Sequence, residues 1–180
     1  MNAVGARGIR RAMLPDRERV VRRVLTFEPL ALTAANDHRL DLDLVLGIVC
    51  QESAGVPTAL RPEPGFWRRY GANILRAALA SKSQRDDRWM AYPEIASASY
   101  GLMQVMYPVA IEDGMDLRYP TDLCDPAIGL DAGCLHFAKC LQRAGGPTRP
   151  GLLRYNGGGD PRYDDKVLAW RDDVVLLRGK

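Results

Sequence analysis

Residues Leu42 to Gly55, LDLVLGIVCQESAG, decide how the rest of the chain is read. Leu42, Val45, Val49 and Glu52 recur at helical spacing, so a carboxylate shares one face with aliphatic side chains, and Ile48 lies one turn behind it. Asp41 precedes the run as its N-cap. The run stops in Ser53-Ala54-Gly55, with Gly55 suited to a left-handed C-terminal cap and Pro57 unable to continue the helix. The predicted result is an apolar helix that delivers Glu52 to its own end, beside a loop. A glutamate shielded from water there resists ionisation, because desolvation disfavours its charged form. That is the property a general acid needs near neutral pH. Neither Ile48 nor Val49, one turn earlier, offers a cation to stabilise the anion. Taken alone, the stretch reads more simply as a core helix with a glutamate reaching out from its rim.

Outward from this helix the chain reads as mainly α. Residues Asp16 to Leu25 form a short charged helix whose apolar side is Val20, Val21, Val24 and Leu25. Thr26 is placed to cap a second helix over Glu28 to Asn36, with Pro29 in its first turn. Downstream, Asp125-Pro126 opens a long helix running to about Ala144, with one apolar stripe of Ile128, Leu135, Ala138 and Leu141 and a neighbouring one of Leu130, Cys134 and Phe137. A short helix from Pro150 to Tyr155 ends in the loop Asn156-Gly157-Gly158-Gly159. The last helix, Arg162 to Leu177, is amphipathic through Tyr163, Val167, Trp170 and Val174. No stretch alternates over strand length, and there is no internal repeat. Residues 1–15 read as a flexible N-terminal arm and 16–180 as one domain, with 60–98 as an insert.

A chain of 180 residues can bury a core as one domain, and 47% hydrophobic with 26% charged residues is the composition of a globular protein. The net charge of +3 is too small to argue for nucleic acid, though it suits an anionic polymer such as a cell wall. No apolar run has the length of a membrane span. Asp16-Arg17-Glu18-Arg19 arrives where a secretory leader needs its apolar stretch, so no signal peptide is expected from this sequence. The cysteines Cys50, Cys124, Cys134 and Cys140 form no CxxC pair and are joined only by His38 and His136, which argues against zinc. Cys50 reads as a core residue; one bridge among Cys124, Cys134 and Cys140 is left open, except that Cys134 and Cys140 fall on opposite sides of one helix.

Three short motifs change the weight given to Glu52. Glu52-Ser53 is followed by SYGLMQV at Ser99 to Val105 and then by YNGG at Tyr155 to Gly158. Each is weak by itself. In this order, spread over about Leu40 to Trp170, they resemble the soluble-type lytic transglycosylase, goose-lysozyme-like family. The resemblance implies a single lysozyme-like helical domain with a long insert beside the active-site cleft. It implies that Glu52 is the catalytic residue and that Ser53, Ser99, Tyr100, Met103, Gln104, Tyr155 and Asn156 bind substrate, with the Tyr155 hydroxyl pointing towards Glu52. Gln104 would donate and accept towards an acetamido group. Tyr100 to Gln104 is expected to enter another helix, with Gly101 bringing the backbone close to the cleft; Leu102 and Val105 are expected in the core. Gly158 departs from many relatives, which carry proline or another residue after a similar turn, and no functional loss is expected from it.

The insert opens with RPEPGFWRRYG, Arg61 to Gly71, which resembles phage- and prophage-associated members, and a helical run follows over Ala72 to Ala80. Phe66, Trp67, Tyr70, Trp89 and Tyr92 are interleaved with Arg61, Arg68, Arg69 and Arg88. Two readings stand side by side. Trp67, Arg69 and their neighbours stack sugar rings and pair with peptide carboxylates, or the aromatics form a satellite core under a long loop.

Most glycosidases set two carboxylates across the scissile bond. Here only Glu52 has motif support; Glu63 and Glu94 in the insert, and Asp113 and Asp116 after GLMQ, are singled out by no spacing. The resemblance implies a route that needs one. Glu52 protonates the oxygen between N-acetylmuramic acid (MurNAc) and N-acetylglucosamine (GlcNAc), then as a base draws the proton from the C6 hydroxyl, closing a 1,6-anhydro ring. Glycan strands of peptidoglycan are then the partner, with no cofactor, metal, nucleic acid or stable membrane insertion, in a monomer whose setting is wall remodelling, a virion or a secretion apparatus. The alternatives are a hydrolytic goose-type muramidase, which shares the single glutamate and admits a water, and a non-catalytic wall-binding or virion module.

Overall fold

The computed structural model describes residues 13–69, 71 and 93–179. The N-terminal arm through residue 12, Tyr70, the helical run expected over Ala72 to Ala80, and Arg88, Trp89 and Tyr92 lie outside the described residues. In chain order the elements are α1 (Pro15–Leu25), α2 (Glu28–Asp37), α3 (Leu42–Ser53), β1 (Leu60–Pro62), a helical segment α4 (64–69), α5 (Pro93–Ala96), β2 (Ala98–Tyr100), β3 (Val105–Met106) and α6 (Tyr107–Glu112). A 3₁₀ turn (Pro120–Cys124), α7 (Pro126–Arg143), α8 (Thr148–Tyr155) and α9 (Tyr163–Arg178) complete it. The chain is a mainly helical, lysozyme-like single domain, as expected.

Every residue of α3 from Leu44 to Cys50 is buried, so the decisive helix is apolar on all sides rather than striped. The helices α1, α2 and α9 pack around it. Asp41 caps it, accepting from the Leu44 N–H at 2.8 Å. Its closest neighbour is α9: a Cβ at Gly47 would stand 3.0 Å from both the Arg171 nitrogen and the Val167 carbonyl oxygen. Any side chain there forces the two backbones apart, at a cost of roughly 1–3 kcal/mol. The contact also sets register. Gly47 faces Val167 and Arg171, so the end of α3 meets the start of α9, and Glu52 comes level with Tyr163. Arg178 closes the other end, donating to Glu28 at 2.7 Å and also to Asp43.

The helix cap placed at Thr26 is corrected. Thr26 is the C-cap of α1, its hydroxyl donates to the Arg23 carbonyl at 2.7 Å, and Phe27 begins α2 without a side-chain cap. In α7, which Asp125 caps through the N–H groups of Ala127 and Ile128, the stripe of Leu130, Cys134 and Phe137 is buried. The other stripe stays partly exposed, and Ile128 is 36% accessible. All four cysteines are free, so no bridge joins Cys124, Cys134 or Cys140.

The larger correction concerns Tyr100 to Gln104, which is not helical. Three short strands form an antiparallel sheet in the order β1-β2-β3, with Arg61 opposite Ser99 and Ser99 opposite Met106. Residues Gly101 to Gln104 are the turn between β2 and β3. Two backbone facts forbid helix here. Gly101 has φ +77°, with a Cβ position 2.0 Å from the Leu123 carbonyl oxygen, and Gln104 has φ +51°. The Gln104 amide holds the turn shut by donating to the carbonyls of Ala59 and Gly101, each at 3.0 Å. Strands of two and three residues are too short to show alternation, which is why the sequence reads as mainly α with no strand singled out.

Candidate active site

At the end of α3 the chain turns left-handed at Ala54, φ 51°, and Gly55, φ 76°, which leaves the Glu52 side chain on the wall of a cleft of about 330 Å³. The sheet, α4, α7 and the loop after α8 supply the other walls. The side chain of Glu52 is 8% exposed. Burial is the largest influence on it and raises its pKa; the Tyr163 hydroxyl and Arg61 act to lower it, and Glu63 adds to the rise. Desolvation wins, as the absence of a cation one turn earlier suggests.

The hydroxyl on Glu52 comes from Tyr163, not Tyr155. Tyr163 donates to Oε1 at 2.5 Å from the first turn of α9, 111 positions along the chain. Tyr155 instead donates to the Met103 carbonyl at 2.7 Å, and its ring builds the wall between them. That ring stacks on Tyr163 with centroids 6.5 Å apart and meets Phe137 edge-on at 5.8 Å. The column Phe137-Tyr155-Tyr163 therefore ends on the carboxylate. On the other side, the Arg61 guanidinium lies 3.9 Å from Oε2 of Glu52 and 2.7 Å from Glu63. One exposed cation thus serves two carboxylates, and Glu63 is, among the described residues, a second acid on the cleft wall.

The residues expected to bind substrate divide into two groups. Ser99, Gln104, Tyr155 and Asn156 line the cleft with Glu52. Ser99 donates to Oε1 of Gln104 at 3.2 Å, and both Gln104 N–H groups are taken by backbone carbonyls. Gln104 therefore shapes the cleft wall and has no N–H left for an acetamido group. Asn156 is turned into its own loop, against the backbone of Gly159 and Asp160.

Ser53, Tyr100 and Met103 do not reach the cleft. The Ser53 hydroxyl donates to the carbonyls of Leu102 at 2.8 Å and Val49 at 3.2 Å and accepts from the Gly55 N–H. It stitches the end of α3 to the β2–β3 turn. Tyr100 is buried with its hydroxyl on the Ile95 carbonyl at 2.6 Å, and Met103 is fully buried. In the insert, Phe66 lines the cleft, whereas the Trp67 ring lies over Gly71, one helical turn further on, and neither Trp67 nor the exposed Arg69 is on the cleft wall.

Sequence reasoning gave no site role to the cleft-lining His136 and Arg154, nor to Tyr163, which is buried behind the cleft wall with its hydroxyl on Glu52. Tyr163 carried a usable signal. It continues the α9 face of Val167 and Val174 towards the core, and a buried tyrosine needs a partner for its hydroxyl. His136 sits on α7 with Nδ1 2.6 Å from Asp113, whose side chain is 2% exposed and also pairs with Lys139 at 3.2 Å. Asp113 therefore holds the His136 ring in the cleft wall rather than facing substrate.

Over residues 29–166 of 180, well over half of its length, the chain matches the family model described as Transglycosylase SLT domain. No curated protein and no solved structure matched it. Among the described residues no helix is long and apolar enough to cross a membrane. With the motif order, the helical fold and Glu52 at the cleft in place, this match identifies the chain as a member of the SLT transglycosylase family, whose domains act on the glycan of peptidoglycan.

Proposed function

We propose that the protein is a peptidoglycan lytic transglycosylase in which Glu52 serves first as acid and then as base. One observation carries the reading: a carboxyl 8% exposed on the cleft, raised in pKa by burial and held at Oε1 by Tyr163. Burial favours the protonated form of Glu52, the form that can donate to a glycosidic oxygen. The proton passes to O4 of the departing GlcNAc as the bond from MurNAc C1 to O4 breaks. The substrate's own acetamido group supports C1 in the interval. Glu52, now an anion, is stabilised by the Tyr163 hydroxyl and by Arg61. It removes the proton from the MurNAc C6 hydroxyl as O6 bonds to C1. The 1,6-anhydro product forms, Glu52 regains its proton, and no water is consumed. Ser99, Gln104, Tyr155, Asn156 and Phe66 shape the groove that holds the sugars.

Hydrolysis is the second reading, and Glu63 is the observation that favours it. A second cleft carboxylate can position a water, although in this structure Glu63 is engaged by Arg61 at 2.7 Å. The resemblance of Arg61 to Gly71 to phage-associated members extends the proposal to a phage or prophage setting, which the neighbouring genes test. The activity itself is tested on purified cell walls. The wild-type protein should clear them and Glu52→Gln should not; clearance by Glu52→Gln at close to the wild-type rate overturns the assignment.

A further inference from the structure

Among the described residues, many basic side chains have acidic partners. Arg17 pairs with Asp173, Arg22 with Glu18, Lys139 with Asp113, and Arg149 with Asp164 and Asp165. Arg143, at the end of α7, and Arg154, in the last turn of α8, are exposed and have no carboxylate partner among the described residues. They do not point into bulk solvent at random. Both line an open cavity of about 500 Å³ between α7, α8 and the Gly157-Gly158 loop. His136, Arg154 and Gly157 line this cavity and the Glu52 cleft alike, so the two spaces adjoin.

The chemistry of the cavity is one-sided. Arg143 and Arg154 both act on the Cys140 thiol in its wall. Burial nonetheless pushes that thiol up to about 11, so it is a neutral wall and not a nucleophile. Asp113, the acid behind the wall, is 2% exposed and is engaged by His136 and Lys139, so it neutralises neither arginine. Gly157 and Gly158 face open space and leave the mouth without side-chain cover. Two guanidinium forks at one concave site, neither with a carboxylate partner among the described residues, match the planar, two-oxygen geometry of a carboxylate.

We infer that this cavity is a carboxylate-binding subsite, in which Arg143 and Arg154 hold an anionic peptide substituent of the strand whose glycan lies in the Glu52 cleft. The inference rests on the peptidoglycan reading above and adds to it a reason to prefer strands that still carry their peptides. His136, fixed by Asp113, forms the shared wall between sugar and peptide.

The test uses the Glu52→Gln protein, so that binding is read without turnover. Affinity is measured for a MurNAc-GlcNAc oligomer bearing tetrapeptide stems and for the same oligomer after an amidase has removed them. Adding Arg143→Gln and Arg154→Gln together should weaken binding of the stem-bearing oligomer about tenfold more than binding of the stripped one, the scale of lost charge-assisted contacts. Arg143→Lys with Arg154→Lys should recover part of the loss. A distant exposed pair, Arg19→Gln with Arg22→Gln, controls for net charge and should leave the ratio unchanged. Equal losses on the two oligomers, no loss on either, or an equal effect from the distant pair overturns the subsite while leaving glycan binding intact. If folded Glu52→Gln protein binds neither oligomer, the peptidoglycan reading fails and the subsite with it.

Discussion

Replacing Tyr163 with phenylalanine removes one oxygen and leaves the ring that stacks on Tyr155. The lost oxygen donates to Glu52 Oε1 at 2.5 Å, and the pair is buried. A hydrogen bond to a charged partner contributes roughly 1.5–3 kcal/mol, against about 1 kcal/mol for a neutral one. Because the bond favours the anion, its loss raises the Glu52 pKa further. Glu52 must be protonated to start the reaction, so the basic limb of the pH–rate profile should move to higher pH. At the plateau kcat should fall, because the anion formed as the proton leaves has lost a donor. The transition state carries only part of that charge, so about tenfold is expected, the lower end of what the lost energy allows. Unfolding measured at mildly alkaline pH gives an independent reading. There Tyr163→Phe should cost about 1 kcal/mol more in wild type than in a Glu52→Gln background, where the bond is already neutral. A variant with an unmoved pH profile and no coupling to position 52 would refute the role given to Tyr163.

Glu52→Gln itself should reduce wall clearance at least ~100-fold while preserving the fold, since one positioned proton donor is worth about that much. Its stability effect has a definite sign. The folded pKa lies above that of an ordinary glutamate, so the group's contribution is full below the unfolded value and is lost as pH rises through the folded one. At neutral pH Glu52→Gln should therefore unfold at the same denaturant concentration as wild type or a higher one. Ser53→Ala should lower unfolding stability by about 1–3 kcal/mol, through the unsatisfied Leu102 carbonyl and Gly55 N–H, and leave oligomer affinity unchanged. In the insert, Phe66→Ala should weaken affinity for a glycan oligomer more than it lowers the unfolding midpoint, and Trp67→Ala should do the reverse, because only Phe66 lines the cleft.

Much of the fold was legible because its signals are local. The Asp41 cap, the apolar run of α3, the Asp125-Pro126 start of α7 and the glycine loop after α8 all depend on neighbours within a few residues. The β2–β3 turn was misread because Leu102, Met103 and Val105 are apolar enough for a helix, while the features that forbid one lie elsewhere in the fold. The Leu123 carbonyl crowds Gly101, and the Ala59 carbonyl anchors Gln104.

The site divides along the same line. Glu52 follows from a helix and its end, whereas the identity of its partner depends on how α9 is laid against α3. That choice is made by the close approach at Gly47, a long-range fact that puts Tyr163 on the carboxylate and Tyr155 on the Met103 carbonyl. Ser53, Tyr100 and Met103 belong to motifs that border the cleft, yet their side chains face inward and hold its parts together. A motif marks a piece of backbone, and only packing decides which of its side chains meets a ligand.

Mass spectrometry of the sugars released from purified peptidoglycan tests the central claim most directly, because the fate of the C6 proton is written in the product. If Glu52 works alone as acid and base, the wild-type protein releases muropeptides ending in 1,6-anhydro-MurNAc, lighter by one water than hydrolysis products, and Glu52→Gln releases none. Products ending in reducing MurNAc would contradict it and give Glu63 and a bound water the second half of the reaction.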